Sequence, residues 1–129
     1  MIVDTSALVA IAKGEPEAKR CIQRLEEFGR NRISAANLFE AFLVVDRLPA
    51  AGSRDIVEAL WNRFALQVEP ITEQHVRLAR EANLRYGKGS GNGAGLNFGD
   101  CFAYALAKQT GEPLLFVGND FGKTDIGVA

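Results

Sequence analysis

Apolar positions along this chain fall into two alternating periods. Short apolar or β-branched runs at Ile2-Val3, Asn31-Arg32-Ile33, Leu66-Gln67-Val68-Glu69-Pro70 and Pro113-Leu114-Leu115-Phe116-Val117 read as four strands. Between them, apolar residues recur every three or four positions, the helical period. Ala7 to Ala12 forms a first helix, with Thr5 or Ser6 available to cap it and Gly14 to end it. Glu15-Pro16-Glu17 opens a second, which carries Ala18, Cys21, Ile22, Leu25 and Phe28 on one face and stops at Gly29. Ser34 caps a helix from about Ala35 to Arg47, ended by Pro49. Gly52-Ser53 starts another to about Ala65, with Ile56, Val57, Leu60, Trp61 and Phe64 inward. Thr72-Glu73 opens a helix to about Arg85 that turns Val76, Ala79, Ala82 and Asn83 inward, and Asn97 caps the last, about Phe98 to Thr110, before Gly111.

Strands alternating with helices predict an α/β layered fold on a mainly parallel sheet. The wholly apolar fourth strand reads as central, and Ile126-Gly127-Val128 as a short edge strand, giving four to five strands. No repeat or linker interrupts the 129 residues, so residues 1–129 form a single domain. Gly87 to Gly99 is glycine-rich and reads as a loop. No Gly-Lys-Ser/Thr closes it and no strand precedes it, which excludes a phosphate-binding P-loop.

Composition narrows the class. Hydrophobic residues make up 47% and charged residues 24%, a globular balance, and no apolar run approaches the ~20 residues that cross a bilayer. The first residues carry no basic signal segment, and two cysteines, Cys21 and Cys101, read as reduced thiols, so a cytoplasmic protein is expected. A net charge of −1 argues against a strong non-specific nucleic-acid binder. Yet Arg77, Arg80, Arg85 and Lys88 cluster with one acid, Glu81, either as a local phosphate footprint or as a solvated helix face.

The chemistry gathers on acids. In a parallel sheet ligands bind beyond the carboxyl ends of the strands. Asp4 follows the first strand and Asp120 follows the last. Glu40 stands inside an apolar helix, with Ala36, Asn37, Leu43 and Val44 as its helical neighbours, and Asp100 lies in a helix first turn. A buried carboxylate is costly unless something positive meets it, and Arg47 is two turns from Glu40. Taken singly, each acid also has an ordinary explanation: a turn for Asp4 and Asp120, the helix dipole for Asp100, a solvent-reaching edge for Glu40. Together they suit one divalent ion. An all-oxygen set without a His or Cys cluster favours Mg2+ or Mn2+ over zinc. Such a centre fits phosphodiester hydrolysis, in which the ion activates water and offsets developing charge.

Four separated blocks then resemble one family. They are Met1-Ile2-Val3-Asp4-Thr5-Ser6-Ala7-Leu8, the helix from Ser34-Ala35 to Glu40-Ala41, Phe98-Gly99-Asp100-Cys101-Phe102-Ala103-Tyr104-Ala105-Leu106-Ala107-Lys108, and Pro113-Leu114-Leu115-Phe116 through Asn119-Asp120-Phe121 to Thr124-Asp125-Ile126. In this order, over the whole chain, they resemble VapC-type PIN-domain toxins. The resemblance implies a PIN-like three-layer fold and an Mg2+- or Mn2+-dependent endoribonuclease. It further implies a homodimer and inhibition by a VapB-like antitoxin whose tail enters the acidic groove. The family's acids fall on Asp4, Glu40 and Asp100, with Ser6 as a polar neighbour. The fourth is Asp120, contested by Asn119 and Asp125, with Asn119 or Thr124 in support.

Other residues have plainer readings. His75, the sole histidine, is expected at the surface, Cys101 as a small buried thiol, and Trp61 and Phe64 as core or dimer surface. A haloacid-dehalogenase-type phosphatase would need an acid two residues after Asp4, where Ser6 stands. A receiver-like signalling domain would need paired acids at the first strand and a Lys after the last. A PIN nuclease of RNA processing, outside any toxin pair, is the nearest competitor.

Overall fold

The computed structural model describes residues 1–49 and 53–129. Strands β1 (Ile2–Val3), β2 (Arg32–Ser34), β3 (Gln67–Glu69) and β4 (Leu114–Leu115) form one parallel sheet in the order β3-β2-β1-β4. The helices are α1 (Thr5–Lys13), α2 (Ala18–Phe28), α3 (Ala35–Val45), α4 (Ile56–Arg63), α5 (Glu73–Tyr86) and α6 (Phe98–Thr110). Tight 3-10 turns cover Ser53–Asp55 and Asp120–Lys123, and the expected helix start at Gly52 lies outside the described residues.

The path of the chain explains its layers. β1, β2 and β3 are laid down in one direction across the sheet, and right-handed crossovers keep α1 to α4 on one face. The chain then returns past β1 to add β4, which puts α5 and α6 on the other face. Alternating strand side chains feed both cores. Val3, Ile33 and Leu115 pack with Leu8, Leu25, Leu38, Val45, Val57 and Leu60. Ile2, Leu114 and Phe116 pack with Ala79, Ala82, Tyr86, Tyr104 and Leu106. Each of these fully buried aliphatic side chains contributes about 1.5–3 kcal/mol relative to exposure.

Three expectations need correction. First, β4 ends the four-stranded sheet rather than occupying its centre. Among the described residues a single bridge, Leu114 to Val128, lies beyond it, with the Leu114 N–H donating to the Gly127 carbonyl at 2.8 Å. Its apolar run reflects helices covering both faces, since Leu114 and Leu115 are both buried, and not a central place. Second, the inward face of α5 is His75, Ala79, Ala82 and Tyr86, while Val76 and Asn83 face out. Aromatic packing of Tyr86 on Tyr104, 5.8 Å between ring centres, decides that rotation together with the pairing of His75 to Gln109 on α6. Third, His75 is therefore buried: its Nδ1 accepts from the Thr72 N–H, so Nε2 carries the proton toward Gln109. Cys101 and Phe64 are buried as expected, and Trp61 packs at the edge of the core while donating to the Leu66 carbonyl.

Candidate metal centre

The sheet order reverses between β1 and β4, and the carboxyl ends of those strands define a crevice where ligands bind in such folds. Asp4 is the first residue beyond β1 and caps α1, in place of the expected Thr5 or Ser6. One carboxylate oxygen, Oδ2, accepts from the Ser6 backbone N–H at 2.9 Å and the Ser6 hydroxyl at 2.6 Å. The Ser6 hydroxyl in turn accepts from the Val117 N–H at 2.9 Å, so one serine ties the ends of β1 and β4 together. The other oxygen of Asp4, Oδ1, is buried without a hydrogen-bond partner among the described residues.

Two helix ends bring up the remaining acids. Asn97 and Asp100 cap α6 reciprocally: the Asp100 N–H donates to Asn97 Oδ1 and the Asn97 N–H to Asp100 Oδ2, both at 2.9 Å. Glu40 projects from α3, which meets the start of α6 through Asn37. That fully buried amide donates to the Gly99 carbonyl at 3.0 Å and to the Thr5 hydroxyl at 3.3 Å, while Thr5 donates to the Asn37 carbonyl. The Glu40 carboxylate lies directly against Gly99, where an added Cβ would stand 2.7 Å from Glu40 Cδ. Glycine in a helix costs about 0.5–1 kcal/mol relative to alanine, and here the space it leaves is filled by a carboxylate.

Electrostatics join the four acids into one cluster. Burial pushes the Asp4 carboxyl above the ordinary carboxylate range; the Ser6 bonds oppose this and the Glu40 charge adds to it. Burial also raises Glu40, against the Thr5 hydroxyl, with a further push from Asp100. Asp100 is raised to about 6, mainly by burial, with Asp4 and Asp120 raising it further and the Asn97 bond and Lys88 charge opposing. Asp120 itself is exposed on the 3-10 turn after β4.

Asp125 is engaged elsewhere. It accepts from the Tyr104 hydroxyl at 2.8 Å and Lys108 at 2.7 Å, with Arg85 at 3.7 Å, and Lys108 leads in holding its carboxyl below the ordinary range. Thr124 spends its hydroxyl on its own turn, donating to the Phe121 carbonyl at 2.8 Å, and Asn119 is exposed.

The donor chemistry suits a hard divalent cation. All groups are oxygens, one buried carboxylate oxygen has no proton donor, and burial with mutual repulsion leaves a deficit of positive charge. The gathering is loose: among the described residues no three acid, imidazole or thiol groups already converge at ligand spacing. Repulsion among the carboxylates opposes closer approach. Asn37 and Gly99 are site residues that sequence reasoning left unassigned, and Asn97 was read only as a helix cap. Asn37 carried a signal, an amide three positions before Glu40 on an otherwise apolar helix. Gly99 carried one too, a glycine inside a helix start.

Comparison with known proteins gives the fold its lineage. Residues 1–127 match the PIN domain family model. Ribonuclease VapC42 of Mycobacterium tuberculosis is 44% identical over 126 residues, covering 98% of this chain and 96% of that relative. Among solved structures, VapC20 of Mycobacterium tuberculosis, described as a sarcin-ricin loop cleaving toxin, superposes with a TM-score of 0.74 at 21% identity over 99% of this chain and 97% of its own. A toxin-antitoxin complex from Klebsiella pneumoniae gives a TM-score of 0.71 at 18% identity, covering 99% and 95%. This chain belongs to the PIN-domain family, in its VapC group.

Proposed function

We propose that this chain is a divalent-metal-dependent endoribonuclease, the toxin half of a VapBC-type pair acting in the cytoplasm. Asp4, Glu40, Asp100 and Asp120 hold the ion, Mg2+ or Mn2+. The observation that carries this reading is the buried, unpartnered Asp4 Oδ1 among acids gathered at the β1–β4 crevice. When bound there, the ion supplies Lewis-acid activation and offsets the charge of a phosphodiester. The protein's own groups arrange this. Ser6 fixes one Asp4 oxygen and leaves the other unpartnered, so that it would be free to hold the ion, Asn97 orients Asp100, and Gly99 admits the Glu40 carboxylate.

A relative named as a ribonuclease over nearly the whole chain supports RNA as substrate, and the toxin-antitoxin complex among the solved neighbours supports a VapB-like antitoxin partner. Phe39, Leu43 and Val44 lie exposed on α3, an apolar surface suited to a protein partner such as a second copy in a homodimer. No helix among the described residues is long and apolar enough to cross a membrane.

Cleavage of labelled RNA by the purified chain tests the assignment. Activity is expected with Mg2+ or Mn2+, lost in chelator, and lowered at least about 100-fold by Asp4→Asn or Asp100→Asn. Wild-type rates in both variants would remove these acids from the centre.

A further inference from the structure

The four cations clustered along α5 and the following turn divide once the fold is seen. Arg77 pairs with Glu73 and Arg85 with Asp125, as on a solvated helix face. Arg80 and Lys88 have no ion-pair partner among the described residues, and both line one groove of about 560 Å³ between α5 and the start of α6. Arg80 also borders a neighbouring depression with Glu73 and Glu81, neither of which pairs with it among the described residues. Its lining is largely apolar, with Leu96 buried and Phe102 half-buried. At its mouth Phe98 is 80% exposed, its ring edge-on to Phe102 at 5.1 Å.

The groove adjoins the acid cluster through Asn97, which lines it and is the reciprocal cap of Asp100. Lys88 lines the same groove. A large aromatic held open at the surface costs exposure, and two uncompensated cations beside it attract an anion with a flat apolar face. An unpaired nucleotide has both parts: a base to stack and a phosphate to pair.

Building on the ribonuclease reading, we propose that this groove is the subsite for an unpaired nucleotide flanking the scissile phosphate. Phe98 stacks its base, and Arg80 and Lys88 hold the adjoining phosphates. The subsite selects single-stranded RNA next to the cut and sets the register in which a phosphodiester reaches Asp4 and Asp100.

The test separates binding from cutting. Affinity for fluorescein-labelled, random-sequence single-stranded RNA is measured by anisotropy in chelator across a salt series. Cleavage of the same RNA is measured separately with Mn2+. Phe98→Ala is expected to weaken binding about 5- to 100-fold, and Phe98→Trp to restore it. Arg80→Gln with Lys88→Gln is expected to reduce the logarithmic salt slope by about 1.4, since each cation releases about 0.7 of a counterion on a single strand. Unchanged affinity and slope in these variants would overturn the subsite. So would a change in sedimentation mass with RNA affinity intact, which would mark the groove as a protein interface. Failure of the ribonuclease reading looks different: the wild-type chain would leave the RNA uncut with Mn2+ whatever the binding data show.

Discussion

Replacing Gly99 by alanine separates the centre from the fold. In the first turn of α6 this residue has ordinary helical surroundings, and alanine there gains about 0.5–1 kcal/mol of helix stability. The new methyl, however, would overlap Glu40 Oε2 and stand 2.7 Å from Glu40 Cδ, against about 3.5–4.0 Å for comfortable carbon contact. Glu40 must draw its carboxylate back by more than about 1 Å. Its flexible, half-buried side chain can do so for about 0.5–1.5 kcal/mol of rotamer strain, and the backbone need not move. The two effects nearly cancel, so the melting temperature is expected to stay within about 4 °C of wild type. Cleavage, in contrast, falls about 100-fold, because a displacement of about 1 Å at a reacting centre costs that much. Circular-dichroism melting and initial cleavage rates on one preparation measure both. A second variant closes the loop: Gly99→Ala combined with Glu40→Ala should lose no more than Glu40→Ala alone. Full activity in a folded Gly99→Ala protein would refute the role given to the Glu40–Gly99 contact.

The fourth acid and the pH response give two further expectations. Asp120→Asn should lower cleavage and ease the ionisation of Asp100, whereas Asp125→Asn, which loses exposed pairs with Lys108 and Arg85, should cost under about 1 kcal/mol and leave rates unchanged. Parallel rates and melts on the two variants decide between the positions. Asp100 titrates near 6 in the folded chain and near 3.8 when unfolded, so the folded state holds more protons between those values. Stability in chelator is therefore present at low pH and lost as pH rises from about 4 through about 6. The gap corresponds to at most about 3 kcal/mol, roughly halved by residual solvent screening. Melting against pH, with and without Mn2+, should show the ion restoring stability near pH 7.5 and adding little near pH 4. A melting temperature that climbs over this range in chelator would contradict the sign.

Much of this architecture is written in local pattern. Glycines at 14, 29 and 111 adopt the left-handed conformation where helices were expected to stop, and Ser34, Thr72 and Asn97 cap as their side chains suggest. Periodicity misplaced what depends on tertiary partners. Val76 looked like core by spacing, yet Tyr86 and His75 won the inward face through Tyr104 and Gln109 on another helix. The apolar fourth strand could not reveal its place in the sheet, because burial on two faces looks the same at the centre and at the end. Asp4, Glu40 and Asp100 were visible as polar residues in apolar company. The partners that engage Asp125, Tyr104 and Lys108, come from another helix and leave no local trace in the sequence.

Direct binding of Mn2+ to the intact chain, followed by calorimetry near pH 7.5, bears most squarely on the central claim. Wild-type protein is expected to bind the ion, and in a parallel titration near pH 6 to release protons from Asp100 as it does so. Asp4→Asn and Asp100→Asn should each weaken that binding at least about tenfold, while Asp125→Asn leaves it unchanged. Equal Mn2+ affinity in wild type, Asp4→Asn and Asp100→Asn would show that the acids at the β1–β4 crevice do not hold the ion.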